Sequence, residues 1–330
     1  MIEGKKVIAF TPCGRRRYMN LLAAHLKREH DRGHIDKWVV FQNAFTWEDV
    51  AFAEQLAAHF PWVEAVQPQD GRKGLATPFT AHLSDFYKWM PRENDAIYVR
   101  FDDDIVYVNE ECIPRLVKYR LALPEPFLMF PVIINNVRTS YQMQQCGVVP
   151  KEWGEIKNEM CNVRAWKDPT YVQRLHRKAL DAINGGPDRL VQEFSMPTGS
   201  FAEIPFGNDD DHKSEPIWAA GNISINCFAI AGADLFGFDI PWNEEGALSL
   251  FRPKEVNRPN ARCGNAFVSH FAYHTQTDAM DKSGMLAEYA KLAPPNDFVY
   301  AAPAPQPESR AAVAQRKIFN RQRRHGNARA

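Results

Sequence analysis

Residues Asp95–Glu111 read D-A-I-Y-V-R-F-D-D-D-I-V-Y-V-N-E-E. Ile97, Val99 and Phe101 alternate with Ala96, Tyr98 and Arg100, the two-residue period of a strand covered at least in part on both faces. The strand runs straight into Asp102, Asp103 and Asp104, and apolar chain resumes at once with Ile105–Val108. Asn109 is then expected to cap a helix, with Glu110 and Glu111 in its first turn. Carboxylates packed this closely between apolar flanks repel one another and are costly to desolvate. A bound cation relieves both, and oxygen-only ligands point to a hard one such as Mg²⁺ or Mn²⁺. Such ions keep waters and substrate phosphates as ligands. The stretch therefore reads as a metal–diphosphate site at the carboxyl end of a strand, where open α/β sheets bind ligands. The plainer alternative is a solvated acidic turn. Asp209–Asp211, in G-N-D-D-D-H-K-S, has turn formers before it and polar residues after it, and is expected to be such a loop.

Upstream, Lys6–Phe10 (K-V-I-A-F) is predicted as a first strand ending at T-P-C-G-R-R-R-Y. A helix follows over Arg16–Glu29, with Leu21, Leu22, His25 and Leu26 on one face. Strand, glycine turn and helix suit a phosphate, because free N–H groups at a helix start attract anions. Arg15, Arg16 and Arg17 strengthen that reading through guanidinium–phosphate pairing; the alternative is a solvated, arginine-rich first turn. A strand at Trp38–Gln42 and a helix at Thr46–His59 complete a βαβα start, which argues for a parallel sheet with helices on its faces. A helix expected over Pro78–Met90 then leads through P-R-E-N-D into the acidic strand.

Downstream, a helix is expected over Glu110–Leu123 and a buried strand over Phe127–Asn135. Residues 137–219 differ in kind: they hold aromatics, a helix at Pro169–Asn184, G-G-P and the polar loop, and read as an insertion or lid. Asn222–Gly232 and Ala266–Tyr273 alternate like strands. Between them Glu244 and Glu245 mark the mouth of a helix, where a carboxylate serves either as a general base or simply as a favourable first-turn charge. His270 lies in an apolar strand, as a hydrogen-bonded core residue or a ligand, and His274 shares its face as a substitute. Residues 1–294 form one domain in this reading. From Pro295 the composition turns to a Pro/Ala linker and a basic tail, 295–330, either solvated or an amphipathic helix at an anionic membrane.

Lysine plus arginine and aspartate plus glutamate both number 40, so no global field favours nucleic acid. Hydrophobic residues at 45% are ordinary for a soluble globular chain of 330 residues, long enough for one large α/β domain. The six cysteines are scattered without a C-x-x-C pair, which suggests reduced thiols. With neither a signal-like h-region nor an apolar run long enough to span a bilayer, a cytoplasmic protein is expected, in peripheral membrane contact if the tail binds lipid.

Together T-P-C-G-R-R after the first strand, Y-V-R-F-D-D-D-I-V-Y-V, N-E-E and G-N-A-F-V-S-H-F-A-Y-H-T-Q resemble nucleotide-sugar-dependent glycosyltransferases of the GT-A fold, over about Val7–Leu292. The resemblance implies a single GT-A-like, Rossmann-like α/β domain with a mostly parallel sheet and helices on both faces. It implies Mn²⁺ or Mg²⁺ held by Asp104, Asp102 and His270, and a nucleoside-diphosphate-sugar donor bound by Thr11, Pro12, Gly14, Arg15, Arg16, Asn43, Arg100, Asp102 and Asp103. Glu245, with Glu244 beside it, stands where an aspartate base is usual, next to a hydroxyl-bearing acceptor that is a glycan, a lipid or protein-linked. The rival readings are a sugar-1-phosphate nucleotidyltransferase, for which a longer glycine-rich basic loop is expected, and a non-catalytic nucleotide- or glycan-binding relative.

Overall fold

Seven buried residues in a row, Val7–Cys13, form strand β1. A strand with no exposed face belongs in the middle of a sheet covered on both sides. The computed structural model describes residues 1–44, 46–67, 83–157, 162–200, 222–241 and 243–302. In it β1 pairs in parallel with β2 (Lys37–Gln42) on one side and β4 (Ile97–Phe101) on the other, and β2 with β3 (Val63–Val66). Beyond β4, antiparallel β8 (Cys227–Ala231) connects to β6 (Met129–Ile134), which pairs in parallel with β9 (Ala261–His270). Two short strands, β5 (Ile105–Val108) and β7 (Gly199–Ser200), add antiparallel to β9. The order is β3-β2-β1-β4-β8-β6-β9-β5, with six of the nine strands running one way. This is the mostly parallel, Rossmann-like α/β class expected from the sequence.

Helices cover the sheet in two packed layers. Helix α1 (Arg16–Asp31) buries Met19, Leu22 and Leu26, one side of the 3.6-residue period, and α3 (Leu83–Trp89) sets Phe86 and Tyr87 against Phe10. Thr46 caps α2 (Trp47–His59) by accepting from Asp49 N at 3.2 Å. These join β1–β4 in one core cluster. A second cluster lies under α5 (Val137–Gln145), α6 (Pro169–Asn184) and α7 (Pro187–Phe194), where Leu175, Leu180, Leu190 and Phe194 meet Val132, Ile134 and Phe267 of β6 and β9. Asp168 caps α6 and Pro169 opens it, as the missing proline N–H is harmless there. The region expected as a lid thus contains three helices that share a second core cluster with the sheet. Its Asp209–Asp211 loop lies outside the described residues, as do residues 78–82 of the helix expected before β4 and the basic tail from Pro303.

Four local expectations shift. β1 continues to Cys13, so the β1–α1 turn shrinks to Gly14–Arg15. The helix expected from Glu110 is α4 (Cys112–Ala122), because Asn109 uses its Oδ1 on Glu111 N at 3.2 Å and holds that residue in the entry turn. Of Asn222–Gly232 only Cys227–Ala231 is strand. The chain after Pro295 does not leave the domain at once: Phe298 is buried on Phe52, ring centroids 5.4 Å apart. There Ala301 and Gln55 exchange two hydrogen bonds of 2.8 and 3.0 Å. Among the described residues no helix is long and apolar enough to cross a membrane.

Gly264 fixes the close approach of β7 and its lead-in to β9. It accepts from Met196 N at 3.0 Å and donates to Thr198 Oγ1 at 2.9 Å, and a Cβ there would fall on the Met196 carbonyl.

Candidate functional site

Because β1, β4, β6 and β9 run the same way, their carboxyl ends share one edge, and antiparallel β8 starts there. The sheet order reverses between β1 and β4, and the crevice at such a switch is where open α/β sheets bind ligands. Asp103 bridges it: its Oδ2 accepts from Gly14 N at 2.8 Å, and its Oδ1 accepts from Arg15 Nε at 2.8 Å and also from Arg15 Nη2. Arg15 Nη1 reaches Asp104 Oδ2 at 2.8 Å. On the other side of Asp104, His270 Nε2 lies 3.1 Å from the same oxygen. Asp104 Oδ1 is buried without a hydrogen-bond partner.

Asp102 is held from β4 and β8. Arg100 donates to its Oδ1 through Nε at 3.1 Å and Nη2 at 2.9 Å, and Asn226 Nδ2 donates to its Oδ2 at 3.0 Å. Arg100 is itself buried, donating to Tyr87 Oη at 2.7 Å and to Glu244 Oε1 at 2.9 Å. Glu244 and Glu245 open the short helix Glu244–Gly246, which Asn243 caps by accepting from Gly246 N at 3.1 Å. Glu245 turns to Ser224, and its carbonyl accepts from Ser249 Oγ at 2.6 Å.

These surroundings set the charges. Burial alone would raise the Asp104 pKa, but Arg15 and His270 outweigh it and bring it to about 2. Asp103 stays raised, because burial outweighs Arg15. Burial would lower His270, but Asp104 holds the ring above the usual histidine range. Glu245 is pushed up to about 8, first by burial and then by the charges of Asp102 and Glu244. A carboxyl so raised is a proton acceptor tuned to neutral or mildly alkaline pH.

The structure thus brings together Gly14, Arg15, Arg100, Asp102, Asp103, Asp104, Glu244, Glu245 and His270, from four separate segments. Others lie apart. Thr11 is inside β1, its Oγ1 accepting from Trp38 Nε1 at 3.0 Å, and Pro12 follows it in the same strand. Arg16 is turned to Asp49, its backbone N donating at 3.2 Å and its guanidinium 3.7 Å away. Asn43 is half-buried just past β2, its N donating to Phe41 O at 2.9 Å. His274 does not share the face of His270: β9 ends at His270, and His274 is exposed with its ring edge-on to Trp166.

The hydrogen-bond frame behind the acids was not anticipated. His270 Nδ1 donates to Asn135 O at 2.8 Å, and Asn135 holds a left-handed φ of 64°, which asparagine tolerates better than most residues. Asn136 Nδ2 donates to Asn226 Oδ1 at 2.9 Å, so one amide orients another and the second orients Asp102. The usable signals were the N-N pair after a buried strand and N-I-S-I-N, whose polar residues Asn222, Ser224 and Asn226 recur at every second position of an apolar run.

For a divalent cation, Asp104 and His270 fit and Asp102 does not. Asp104 offers a buried oxygen lacking a partner. His270 has its Nδ1 fixed by a carbonyl, the arrangement that orients a ligating imidazole through Nε2. Both Asp102 oxygens are engaged. Among the described residues no group of three or more His, Cys, Asp or Glu is gathered to hold a metal alone. An ion here would need waters and ligand oxygens, as Mg²⁺ and Mn²⁺ ordinarily do.

No protein-family profile matches the sequence, and no curated protein does. Among solved structures the chain is similar to a 4-diphosphocytidyl-2C-methyl-D-erythritol synthase, at 16% identity and a TM-score of 0.29, over 38% of this chain and 59% of that one. It is also similar to a CMP:2-keto-3-deoxy-manno-octonic acid synthetase complexed with CTP, at 11% identity and a TM-score of 0.41, over 88% of this chain and 100% of that one. Superpositions this loose carry no argument about chemistry.

Proposed function

We propose that the chain is a divalent-cation-dependent glycosyltransferase, moving a sugar from a nucleoside-diphosphate sugar to a hydroxyl acceptor. The observation that carries the reading is a single edge holding two complementary groups. Asp104 and His270 present a cation-binding oxygen and nitrogen, and Glu245 presents a carboxyl lifted to about 8.

Asp104 and His270 would hold Mn²⁺ or Mg²⁺, which supplies positive charge to a leaving diphosphate. Arg15 stands beside them, with one face on Asp103, and adds a guanidinium at the same crevice. Arg100 is enclosed by Tyr87, Asp102 and Glu244, so it positions carboxylates and is not aimed at a ligand. Glu245 takes the proton of the attacking acceptor hydroxyl, and Ser224 keeps its carboxyl oriented. The two-residue turn Gly14–Arg15 lacks the longer glycine-rich loop expected for a triphosphate, which favours a diphosphate donor over nucleotidyl transfer.

The deciding experiment incubates the protein with Mn²⁺ and a panel of UDP- and GDP-sugars, following release of UDP or GDP, alongside NTP plus sugar 1-phosphate, following pyrophosphate. Nucleoside diphosphate release from one donor is expected. Pyrophosphate release without it would overturn the reading.

A further inference from the structure

Tyr273 carries the active edge outward into a run of rings. It lies edge-on to His270, centroids 4.7 Å apart, and Trp166 is tilted over it at 4.5 Å, with His274 edge-on to Trp166 at 5.3 Å. Tyr273 is buried and its hydroxyl belongs to the site: it accepts from Val137 N at 3.3 Å and also bonds Ser224, the residue that orients Glu245. Trp166 remains half-exposed and His274 exposed.

Trp166 is held in place by the site itself. It belongs to one π-helical turn, Val163–Lys167, capped by Asn162, whose Oδ1 accepts from Arg164 N at 3.0 Å and Ala165 N at 3.1 Å. Gln276 ties the turn to the sheet edge: its Nε2 donates to Ala165 O at 2.9 Å while its Oε1 accepts from Asn135 Nδ2 at 3.1 Å. Thr275 Oγ1 donates to the Trp166 carbonyl. The asparagine that orients His270 therefore shares an amide with the turn that presents Trp166. Single π-turns are uncommon and concentrate at functional sites.

We propose that Trp166, with His274 at its edge, is the platform for a pyranose ring of the acceptor, so that the acceptor is a glycan; this rests on the glycosyl-transfer reading. The C–H face of a pyranose is apolar and slightly positive, which matches the negative face of an indole, while its hydroxyl rim stays free for polar partners. A lipid chain would ask for a continuous apolar groove. Among the described residues Lys167 and Thr275 are exposed beside Trp166, and Val163 is the other exposed apolar side chain of its turn.

Methyl α- and β-pyranosides of glucose, galactose and mannose are suitable probes, at millimolar concentration with Mn²⁺ and UDP present, observed by saturation-transfer NMR. At least one should receive saturation from the wild-type protein. Trp166→Ala should reduce that signal at least fivefold, while Trp166→Phe, which keeps a π-face, retains most of it. Calorimetry of UDP with Mn²⁺ on the same proteins should give affinities within twofold of each other. Absence of saturation for every pyranoside, or equal saturation in wild type and a folded Trp166→Ala, overturns the proposal. The nucleotide titration reports separately on the donor reading: pyranoside binding lost with Trp166 but no UDP binding would defeat that reading and leave the sugar platform standing.

Discussion

Replacing Glu245 by glutamine tests the site through both stability and rate. Its carboxyl titrates near 4.5 when unfolded and near 8 in the fold, so the fold favours the protonated form. Stability linked to this group is fully present below pH 4.5 and is lost as pH rises toward 8, at up to about 1.4 kcal/mol per pH unit. Glutamine mimics the neutral form and does not titrate. The melting temperature of Glu245→Gln minus that of wild type should therefore be near constant below pH 4.5, grow between pH 5 and 8, and then level. The linkage amounts to about 3.5 kcal/mol between pH 5 and 8, which at about 1 kcal/mol per 2–4 °C for large domains is about 7–14 °C. Differential scanning calorimetry at half-unit pH steps measures it, and the double difference cancels every other titrating group. The rate gives an independent reading. Wild-type kcat/KM should climb about tenfold per pH unit up to pH 8, because only about one carboxyl in ten is ionised at pH 7. Glu245→Gln should bind donor normally and transfer about 10²–10⁴-fold more slowly. A melting-temperature difference independent of pH, together with a flat rate profile above pH 6, would refute the assigned environment of Glu245 and its role as base.

Three further outcomes are expected. Asp104→Asn should fold, by circular dichroism, yet lose Mn²⁺-dependent UDP binding by at least 100-fold in calorimetry, whereas His274→Ala, altered at an exposed ring, should bind like wild type. Gly264→Ala should cost at least about 3 kcal/mol in urea unfolding, since the added methyl meets the Met196 backbone and cannot move aside. A chain ending at Ala302 should match full-length stability and turnover, but one ending at Asn296 should lose about 1.5–3 kcal/mol with the burial of Phe298, again by urea unfolding.

How much of this was legible follows from where the information lies. The parallel half of the sheet was legible because fully buried strands read as near-continuous apolar runs, as β1 and β6 do, and because β4 alternates around Arg100. The acidic run was legible because charge between apolar flanks is locally improbable. His270 was marked by one polar residue in an apolar strand, although only the end of β9 separates it from His274. The partners of these residues were hidden because each arrives from a distant segment: Asn226 reaches Asp102 across 124 positions, and Glu244 reaches Arg100 across 144. The packed segment 297–301 was missed because Pro/Ala composition marks a linker, and only Phe298 and Tyr300 betray docking. Arg16 looked like a phosphate ligand because the sequence does not reveal that Asp49, at the start of the next helix, faces it.

The three adjacent aspartates, Asp103 and Asp104 buried and Asp102 half-buried, sit together only because the chain turns as β4 ends, sending each carboxyl to a different source of positive charge. Asp102 goes to Arg100 on its own strand, Asp103 to Arg15 at the start of α1, and Asp104 to His270 at the end of β9, with Arg15 shared. Counting Glu244, four acids face two guanidiniums and one imidazole. Even with His270 protonated, one negative charge is left over, and two buried carboxylate oxygens of this group, Asp104 Oδ1 and Glu244 Oε2, lack a hydrogen-bond partner. Glu245 adds little to that surplus at neutral pH, since most of it carries its proton. An edge left with one uncompensated negative charge favours a positive guest. Ligation through Nε2 requires neutral His270, which raises the surplus to two, so a divalent cation there would balance the edge and an anionic diphosphate would no longer meet net negative charge. On this arithmetic the proposed cation and diphosphate are expected to bind more favourably together than either does alone.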